Sequence, residues 1–191
     1  VVTNSMSGKD HEIIDRGVRV HRVHIPPPPK PADGTTTVVQ FNIQLLERAV
    51  PLIWENRPDI INTHDWLTCL AGHALNRIFA IPHVLTIHDT MIGKNFGKLN
   101  NPQIFAANIE KYGCLDADGM ICCSQYVKQE LVNLYQASAD KITIIPCAVN
   151  HNNFLVSDDP LLLAGFRSVL ADSDDIIITY VGRLDQEKGL T

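Results

Sequence analysis

Residues 60–66, Ile-Ile-Asn-Thr-His-Asp-Trp, form a short apolar run that ends in a histidine, an aspartate and a tryptophan. Residues 82–89, Pro-His-Val-Leu-Thr-Ile-His-Asp, show a similar pattern, with an apolar run followed by a histidine and an aspartate. Between these two predicted strands the spacing of apolar residues predicts a helix from Leu67 to about Phe79. A strand, a helix and a second strand in this order are typical of a parallel βαβ unit.

The same alternation continues in both directions from this unit. Further strands are predicted at 17–25, with a bulge at His21-Arg22, and at 119–123 and 142–145. Further helices are predicted at 36–56, where Pro51 should kink or divide the helix, at 102–113, from Ser124 as N-cap to Tyr135, and from Asp159-Pro160 to Leu170. Most of the strands are continuous apolar runs, which favours a parallel sheet covered on both faces. The predicted fold class is therefore α/β, a Rossmann-like doubly wound parallel sheet over about residues 1–155.

Charge and hydropathy exclude several classes of function. The 191 residues carry a formal net charge of −5 and include no long basic run. This argues against non-specific nucleic-acid binding and against attachment to an anionic membrane surface. No uncharged apolar run approaches the about 18 residues of a membrane span. The chain does not begin with Met and has no signal-peptide pattern, so we expect that its natural N-terminus is missing.

The five cysteines contain no CxxC spacing, and two of them are adjacent. We interpret them as reduced core thiols, which favours a cytoplasmic protein over a disulfide or zinc framework. They are Cys69, Cys114, Cys122, Cys123 and Cys147.

Polar side chains follow both strands of the central unit at their carboxyl ends, where open α/β sheets bind ligands. His64, Asp65 and Trp66 follow the first strand, and His88 and Asp89 follow the second. An aspartate that accepts hydroxyl hydrogen bonds, a histidine that donates and a tryptophan that stacks would suit a sugar-like ligand. In the alternative interpretation Asp65 caps the next helix, Trp66 belongs to the core and the histidine bonds to backbone. Two such groups at adjacent strand ends favour the functional interpretation.

Other chemistries have weaker support. His64, Asp65, His88 and Asp89 are types that bind metals, but no HExxH or paired-histidine spacing is present, so no metal site is predicted. The sequence also lacks GxGxxG, GxxxxGK[ST] and GxSxG. Their absence argues against a dehydrogenase, a P-loop NTPase and a serine hydrolase.

The end of the chain, residues 176–191, reads as an apolar strand over 176–181 followed by Gly182 and a loop that contains Arg183 and Lys188. A glycine-containing loop with two cations after a buried strand can bind phosphate. The alternative is a strand followed by a solvated charged turn.

Five blocks, at 59–66, 82–89, 117–124, 141–150 and 181–190, together resemble the retaining glycosyltransferases of family four. That family includes glycogen synthases, starch synthases and sucrose-phosphate synthases. The last block, Val-Gly-Arg-Leu-Asp-Gln-Glu-Lys-Gly-Leu, is the most specific. Ala148 stands where the family usually has glycine, and Asn150 where it usually has aspartate, so the turn after Pro146 is expected to differ.

The resemblance implies the GT-B architecture, in which two Rossmann-like domains face each other across a cleft. Residues 1–155 would be the acceptor-side domain without its first strand, 156–175 a linker helix and turn, and 176–191 the first strand and phosphate loop of a truncated nucleotide-sugar domain. The implied reaction transfers a sugar, glucose foremost, from a nucleotide diphosphate sugar to a carbohydrate or other acceptor with retention of configuration. It needs no metal or other cofactor.

The resemblance also assigns roles to individual residues. His88 would lie beside the donor sugar near the reaction centre, Asp65 would bind sugar hydroxyls as a second catalytic-site residue, and His64 and Trp66 would complete the sugar site. Gly182, Arg183 and Lys188 would bind the donor diphosphate. The family's glycine-rich loop and carboxylate motif would lie outside this sequence, so the fragment alone is expected to transfer no sugar. The unpaired strand 176–181 would be a site of self-association.

Two further functions stay open at this point. One is a non-catalytic, flavodoxin-like or periplasmic-type binding module that uses His64, Asp65 and Trp66 as a ligand platform. The other is a sugar-nucleotide epimerase of similar GT-B form.

Overall fold

The computed structural model describes residues 1–5, 7–26, 34–153, 159–172, 174–184 and 188–189. The chain divides into two compact units, Val1–Pro146 and Cys147–Thr191. The strands are β1 (Val2–Asn4), β2 (His11–Asp15), β3 (Val18–Val23), β4 (Ile61–His64), β5 (His83–Ile87), β6 (Gly119–Cys122) and β7 (Ile142–Ile144). The helices are α1 (Gly34–Glu55), α2 (Asp65–Phe79), α3 (Met91–Lys94), α4 (Asn101–Asp116), α5 (Gln125–Tyr135) and α6 (Pro160–Leu170).

The first unit is organised around a four-stranded sheet in the order β4-β5-β6-β7, in which every pair is parallel. Leu85 lies opposite Thr63 on one side and Met120 on the other. Helix α2 connects β4 to β5, and α5 follows β6. This arrangement confirms the predicted α/β class and the predicted parallel sheet.

The core covers one face of this sheet. Leu85, Ile87, Met120 and Cys122 lie on that face with at most 2% of each residue exposed. They pack in one apolar cluster with residues of α2, α4 and α5. On the other face Val84 and Ile121 are only half-buried and Asn62 is exposed. The apolar content of the strands is therefore used mainly on one face within this chain.

A second sheet has the order β1-β3-β2, with β1 parallel and β2 antiparallel to β3. The sequence analysis predicted β3 but missed β2. All five residues of β2, His-Glu-Ile-Ile-Asp, are exposed, so the strand carries no apolar alternation that would have revealed it. Arg16 and Gly17, with φ values of 49° and 82°, form the turn between the two strands, which fits the positive φ values that tight hairpin turns require.

Helix α1 runs without interruption from Gly34 to Glu55, so of the two outcomes predicted for Pro51, a kink or a division, the division does not occur. Its buried face, from Val38 through Leu45 to Ile53, is continuous across the proline. Pro51 and Glu47 both lie on the exposed side. Pro51 has no N–H to donate to the Glu47 carbonyl. Because this carbonyl lies on the exposed side, water can solvate it, which lowers the free-energy cost of the missing helical hydrogen bond.

Several local predictions are confirmed, and one loop differs. The Ser124 side chain caps α5 by accepting a hydrogen bond from the Val127 amide, and Asp159 caps α6. The polar sequence of residues 93–101 has no clear period and predicts a loop, but the segment includes the last residues of α3, which Thr90 caps by accepting from the Gly93 amide. Of the five cysteines, all of which are free, Cys69, Cys114 and Cys122 are buried, Cys123 is partly buried and Cys147 is exposed. The prediction of core thiols was therefore wrong for Cys147, which lies in an irregular exposed segment after β7.

The predicted strand at 176–181 is not formed in the second unit. Ile176, Ile178 and Val181 are each about 90% exposed, whereas Ile177 and Tyr180 are 39% and 44% exposed. A strand needs a neighbouring strand to pair with, and among the described residues of this unit there is none. The assignment of 176–191 to a second domain stays a prediction, and residues 185–187, 190 and 191 lie outside the described part of the chain.

A cavity of about 780 Å³ lies between the edge strands β1 and β4. Its lining includes Val2 from β1, Leu45 from α1, Ile61 and His64 from β4, and Leu75 from α2. Among the described residues β1 and β4 are edge strands of their sheets, and both border this space, whose lining is partly polar and partly apolar.

Candidate functional site

The carboxyl ends of β4 and β5 bring two histidines together. His64 is the last residue of β4, and His88 directly follows β5. His64 Nδ1 lies 3.0 Å from His88 Nε2, and the two rings stack at 12° with their centroids 5.3 Å apart. Both side chains belong to exposed residues. The structure thus places the two predicted site histidines in one cluster that faces solvent.

The contact between these rings leaves one nitrogen of each ring for other partners. A hydrogen bond between two imidazole nitrogens needs one N–H donor and one acceptor. It uses His64 Nδ1 and His88 Nε2, so His64 Nε2 and His88 Nδ1 are the ring nitrogens that a ligand could contact.

Asp65 connects β4 to the loop after β5. Its Oδ1 accepts a hydrogen bond of 2.8 Å from the backbone amide of His88. Its own backbone lies in the left-handed region at φ 52°, although it is the first residue of α2. Aspartate tolerates this region better than most residues, and strained backbone often occurs where a side chain must be aimed precisely at a site. Burial raises the pKa of the Asp65 carboxyl, while the hydrogen bond from His88 opposes that rise.

Other groups fix the rest of the loop over 88–91, which we call the His88 loop. The Cys123 thiol donates to the His88 carbonyl at 3.2 Å. Lys94 Nζ lies 3.1 Å from Asp89 Oδ1, on the exposed side of the loop. The sequence analysis took Cys123 for a core thiol and assigned Lys94 no role. Lys94 stands in none of the family-like blocks, and Cys123 lies in the block at 117–124, which marks no site residue there.

Beneath the His88 loop lies Glu110 from α4, a fully buried carboxyl group. Its Oε2 accepts hydrogen bonds from the Met91 amide at 2.8 Å and from the Tyr135 hydroxyl at 2.5 Å. Its Oε1 is buried without a hydrogen-bond partner among the described residues. Sequence reasoning missed Glu110, but a signal existed. The residue lies on the same helical stripe as the small or apolar residues Ala106, Gly113 and Cys114, where a charged residue is out of pattern.

Replacing Glu110 with glutamine is expected to change the pH dependence of folding stability. Burial raises the pKa of Glu110 from its usual 4.5 to about 7, despite the hydrogen bonds from Tyr135 and Met91 that favour the ionised form. Between these two values the folded chain holds a proton that the unfolded chain has released, so its stability falls as pH rises. The free energy of unfolding of the wild type, relative to the Glu110→Gln variant, should fall by up to about 1.4 kcal/mol per pH unit across that window.

Urea unfolding of both proteins between pH 4.5 and 8 measures this difference. The comparison with the variant cancels the other groups that titrate, including His83, whose pKa is lowered by burial. Two stability curves that run parallel across the whole range would contradict the assignment.

The other four predicted site residues, Trp66, Gly182, Arg183 and Lys188, are not part of the exposed histidine cluster. Trp66 is partly buried and packs against two apolar core clusters, one of which includes Met91. Gly182, Arg183 and Lys188 all belong to the second unit. The carbonyl of Arg183 accepts a hydrogen bond of 2.8 Å from the Tyr180 hydroxyl. The roles predicted for these four residues stay predictions.

Within the described ranges, no three His, Cys, Asp or Glu side chains are grouped so that they could hold a metal ion. None of the helices in the described part of the chain is long and apolar enough to cross a lipid bilayer.

Comparison with known proteins identifies the family. The sequence model of Glycosyltransferase Family 4 matches residues 1–153, which include both histidines, Asp65 and the His88 loop. The chain belongs to glycosyltransferase family 4.

Individual relatives of this glycosyltransferase family 4 chain agree with that result. The chain is 27% identical over 191 residues to an uncharacterized glycosyltransferase of Methanocaldococcus jannaschii, a match that covers all of this chain and 48% of that protein. It is 30% identical over 156 residues to a glycogen synthase of Mycobacterium tuberculosis, which covers 80% of this chain and 34% of the relative. The chain therefore spans half or less of the length of these relatives.

A solved structure supports the fold. The sucrose-phosphate synthase from Thermosynechococcus elongatus superimposes with a TM-score of 0.72 at 21% identity, covering 98% of this chain and 46% of that one. At this identity the match shows a shared fold. The family 4 chain thus shares its α/β fold with part of that structure.

Proposed function

We propose that this chain is the acceptor-side part of a retaining glycosyltransferase. In this proposal the enzyme transfers a hexosyl group, glucose foremost, from a nucleotide diphosphate sugar to a carbohydrate or other acceptor. The observation that carries it is the cluster of His64, Asp65 and His88 at the carboxyl ends of adjacent parallel strands, in a chain that belongs to glycosyltransferase family 4. The family match gives no support to a binding module or an epimerase.

The proposed reaction exchanges one bond at the anomeric carbon for another. The bond from this carbon to the diphosphate oxygen breaks, and its electron pair stays on the diphosphate. The acceptor oxygen bonds to the anomeric carbon on the same face, and the acceptor's proton leaves with the diphosphate. Negative charge therefore develops on the leaving group and positive charge on the sugar.

Each charge has a proposed counterpart in this sequence. Arg183 and Lys188 would stabilise the departing diphosphate, with the Gly182 backbone close to it, so that fixed cations act where other enzymes use a metal ion. His88 would lie beside the donor sugar, held by the hydrogen bond from its amide to Asp65. His64 is in contact with His88 and would donate to a sugar oxygen, while the second carboxylate oxygen of Asp65 and Trp66 would complete the sugar site.

The domain assignment is also a proposal. The space of about 780 Å³ between the edges of β1 and β4 supports one further parallel strand there, which would join the two sheets into a single one. The exposed apolar segment over 176–181 supports a second sheet to which it would belong, or self-association through it. The free cysteines support a cytoplasmic location.

The experiment is a donor assay with a longer protein that contains this chain. UDP-glucose and ADP-glucose are supplied with a glucan acceptor, release of the nucleoside diphosphate is measured, and the anomeric configuration of the product is read by NMR. We expect turnover with one donor, an α-linked product and no loss of rate with EDTA. The 191-residue chain, assayed in parallel, is expected to show no turnover.

The possible contrary results separate the parts of this proposal. Turnover by the 191-residue chain would contradict its assignment as half of the site. An inverted product would contradict retention, and loss of rate with EDTA would contradict the metal-free mechanism. A longer protein that hydrolyses or epimerises the donor without a transfer product would overturn the transferase assignment.

A further inference from the structure

We propose that Glu110 and Glu130 are positioning residues for His88. They act on it through hydrogen bonds that hold the His88 loop on its buried side. The proposal rests on the role proposed above for His88. It concerns two acidic residues on helices α4 and α5 that belong to none of the five family-like blocks in the sequence.

The first anchor is Glu110. Its Oε2 accepts the hydrogen bond from the Met91 amide at 2.8 Å, three residues after His88. The Tyr135 hydroxyl donates to the same oxygen and fixes the carboxylate from the side of α5. Glu110, Met91 and Tyr135 are all buried, with 0%, 6% and 1% of each residue exposed. In such surroundings, where water is excluded, these two hydrogen bonds are stronger than they would be at the surface.

The second anchor is Glu130. Its Oε2 accepts a hydrogen bond of 2.8 Å from the hydroxyl of Thr90, a residue with 0% exposure. The same hydroxyl oxygen accepts from the Gly93 amide at 2.9 Å and so begins α3. A Cβ atom at Gly93 would overlap the Glu130 carboxylate, which shows how closely the loop and this side chain are packed.

Together these contacts fix four consecutive residues of the loop. Asp65 and Cys123 hold the amide and the carbonyl of His88, and Lys94 pairs with Asp89. Glu130 holds Thr90, and Glu110 holds Met91. The backbone that carries the His88 ring is thereby held at four consecutive residues, and the contact of the ring with His64 depends on that placement.

A contribution to folding stability does not explain why a glutamate is buried at position 110. Its carboxyl group is buried in an apolar cluster, and burial disfavours the ionised form that its two hydrogen bonds favour. A buried carboxylate that costs stability but fixes the backbone beside a reactive side chain is typical of a site that is pre-organised for chemistry.

The test uses the 191-residue chain labelled with ¹⁵N and ¹³C and needs no substrate. Amide hydrogen exchange is measured at Met91 and Gly93, and the nuclear Overhauser effect between the His64 and His88 rings is recorded. The variants are Glu110→Ala and Glu130→Ala, which remove the acceptors, and Glu110→Gln and Glu130→Gln, which keep an acceptor oxygen. Asp118→Ala is the matched control, because Asp118 accepts a hydrogen bond from the backbone amide of His83 at the other end of β5.

We expect Glu110→Ala to speed exchange at Met91, and Glu130→Ala to speed exchange at Gly93, each by roughly ten- to a hundredfold. Both alanine variants should lose the effect between the two rings, and both glutamine variants should retain it. Asp118→Ala should retain it as well. In an active longer form, the alanine variants should lower kcat more than they raise KM.

Retention of the contact between the rings in both alanine variants would overturn the proposal, as would its loss in the Asp118 control or in the glutamine variants. Glu130 is partly exposed, so Glu130→Ala tests the proposal even if Glu110→Ala does not fold. The NMR result is obtained without sugar transfer. A failure of the proposed function therefore leaves these readouts interpretable, and a failure of the positioning role leaves the donor assay unaffected.

Discussion

Replacement of Asp65 by alanine is expected to lower the kcat of an active longer form about a hundredfold, the loss that a displacement of about 1 Å at a reacting centre can produce. The substitution removes the acceptor of the His88 amide, which now lies 2.8 Å from Asp65 Oδ1. It also places alanine at φ 52°, in a region that costs an L-residue roughly 1–2 kcal/mol. Both effects release the start of the His88 loop and allow His88 to move away from His64.

Two further variants at Asp65 separate these causes. Asparagine keeps an acceptor oxygen and tolerates positive φ, so Asp65→Asn should lose less than tenfold in rate if holding His88 is the main role. Glycine removes the backbone strain but also the acceptor, so Asp65→Gly should match the alanine variant in rate while unfolding at a higher urea concentration. Equal rates for the wild type and Asp65→Ala would show that Asp65 is not part of the site. A rate of Asp65→Asn as low as that of Asp65→Ala would assign the effect to the negative charge.

The meeting of His64 and His88 could be predicted from the sequence because it follows from a rule about backbones. Parallel neighbouring strands end at the same edge of a sheet, and the register here pairs His64 with Thr86, two residues before His88. Both strands were predicted from the sequence at nearly the bounds that β4 and β5 have in the structure. Any polar residues at those two ends would have met in the same way.

The support of this cluster could not be predicted because it depends on where individual side chains point in three dimensions. Asp65 reaches the His88 amide only because its backbone takes a positive φ, which no sequence pattern indicates. Cys123 and Glu110 reach the His88 loop from two other elements, 35 and 19 residues from the groups that they bind. Cys123 looks like an ordinary core residue until its partner is known, and the position of Glu110 on the buried stripe of α4 marks it as unusual without showing what it binds.

The prediction for residues 176–181 shows a different limit. The segment has the composition of a strand, with three isoleucines, a threonine, a tyrosine and a valine. A strand also needs a second strand to pair with, and composition does not provide one. In this chain the segment has no strand beside it among the described residues, and its apolar side chains stay exposed. Strand propensity thus predicted what the segment can form, whereas the presence of a partner decides what it does form.

Replacement of Arg183 by alanine is expected to lower the kcat of the active longer form by about 10²–10³, which is typical for the loss of one group that stabilises a developing negative charge. Lys188→Ala should cause a loss of similar size. The reason is that the electron pair of the broken bond stays on the diphosphate, and the reaction as proposed has no metal ion to neutralise it. The control is Arg16→Ala in the hairpin turn between β2 and β3, where the side chain of Arg16 is 92% exposed, and no change in rate is expected there.

The Arg183→Lys variant tests whether the diphosphate needs the paired donors of arginine or only a positive charge. Arginine offers a planar pair of donors to two phosphate oxygens, whereas lysine offers one compact charge. If Arg183 binds the diphosphate through both donors, lysine should recover only part of the rate that alanine loses, and KM for the donor should stay raised. Full recovery with lysine would mean that positive charge alone is needed. Near-normal rates for both alanine variants would remove Arg183 and Lys188 from the donor site, because a transition state that gains negative charge cannot be indifferent to the loss of a cation that contacts it.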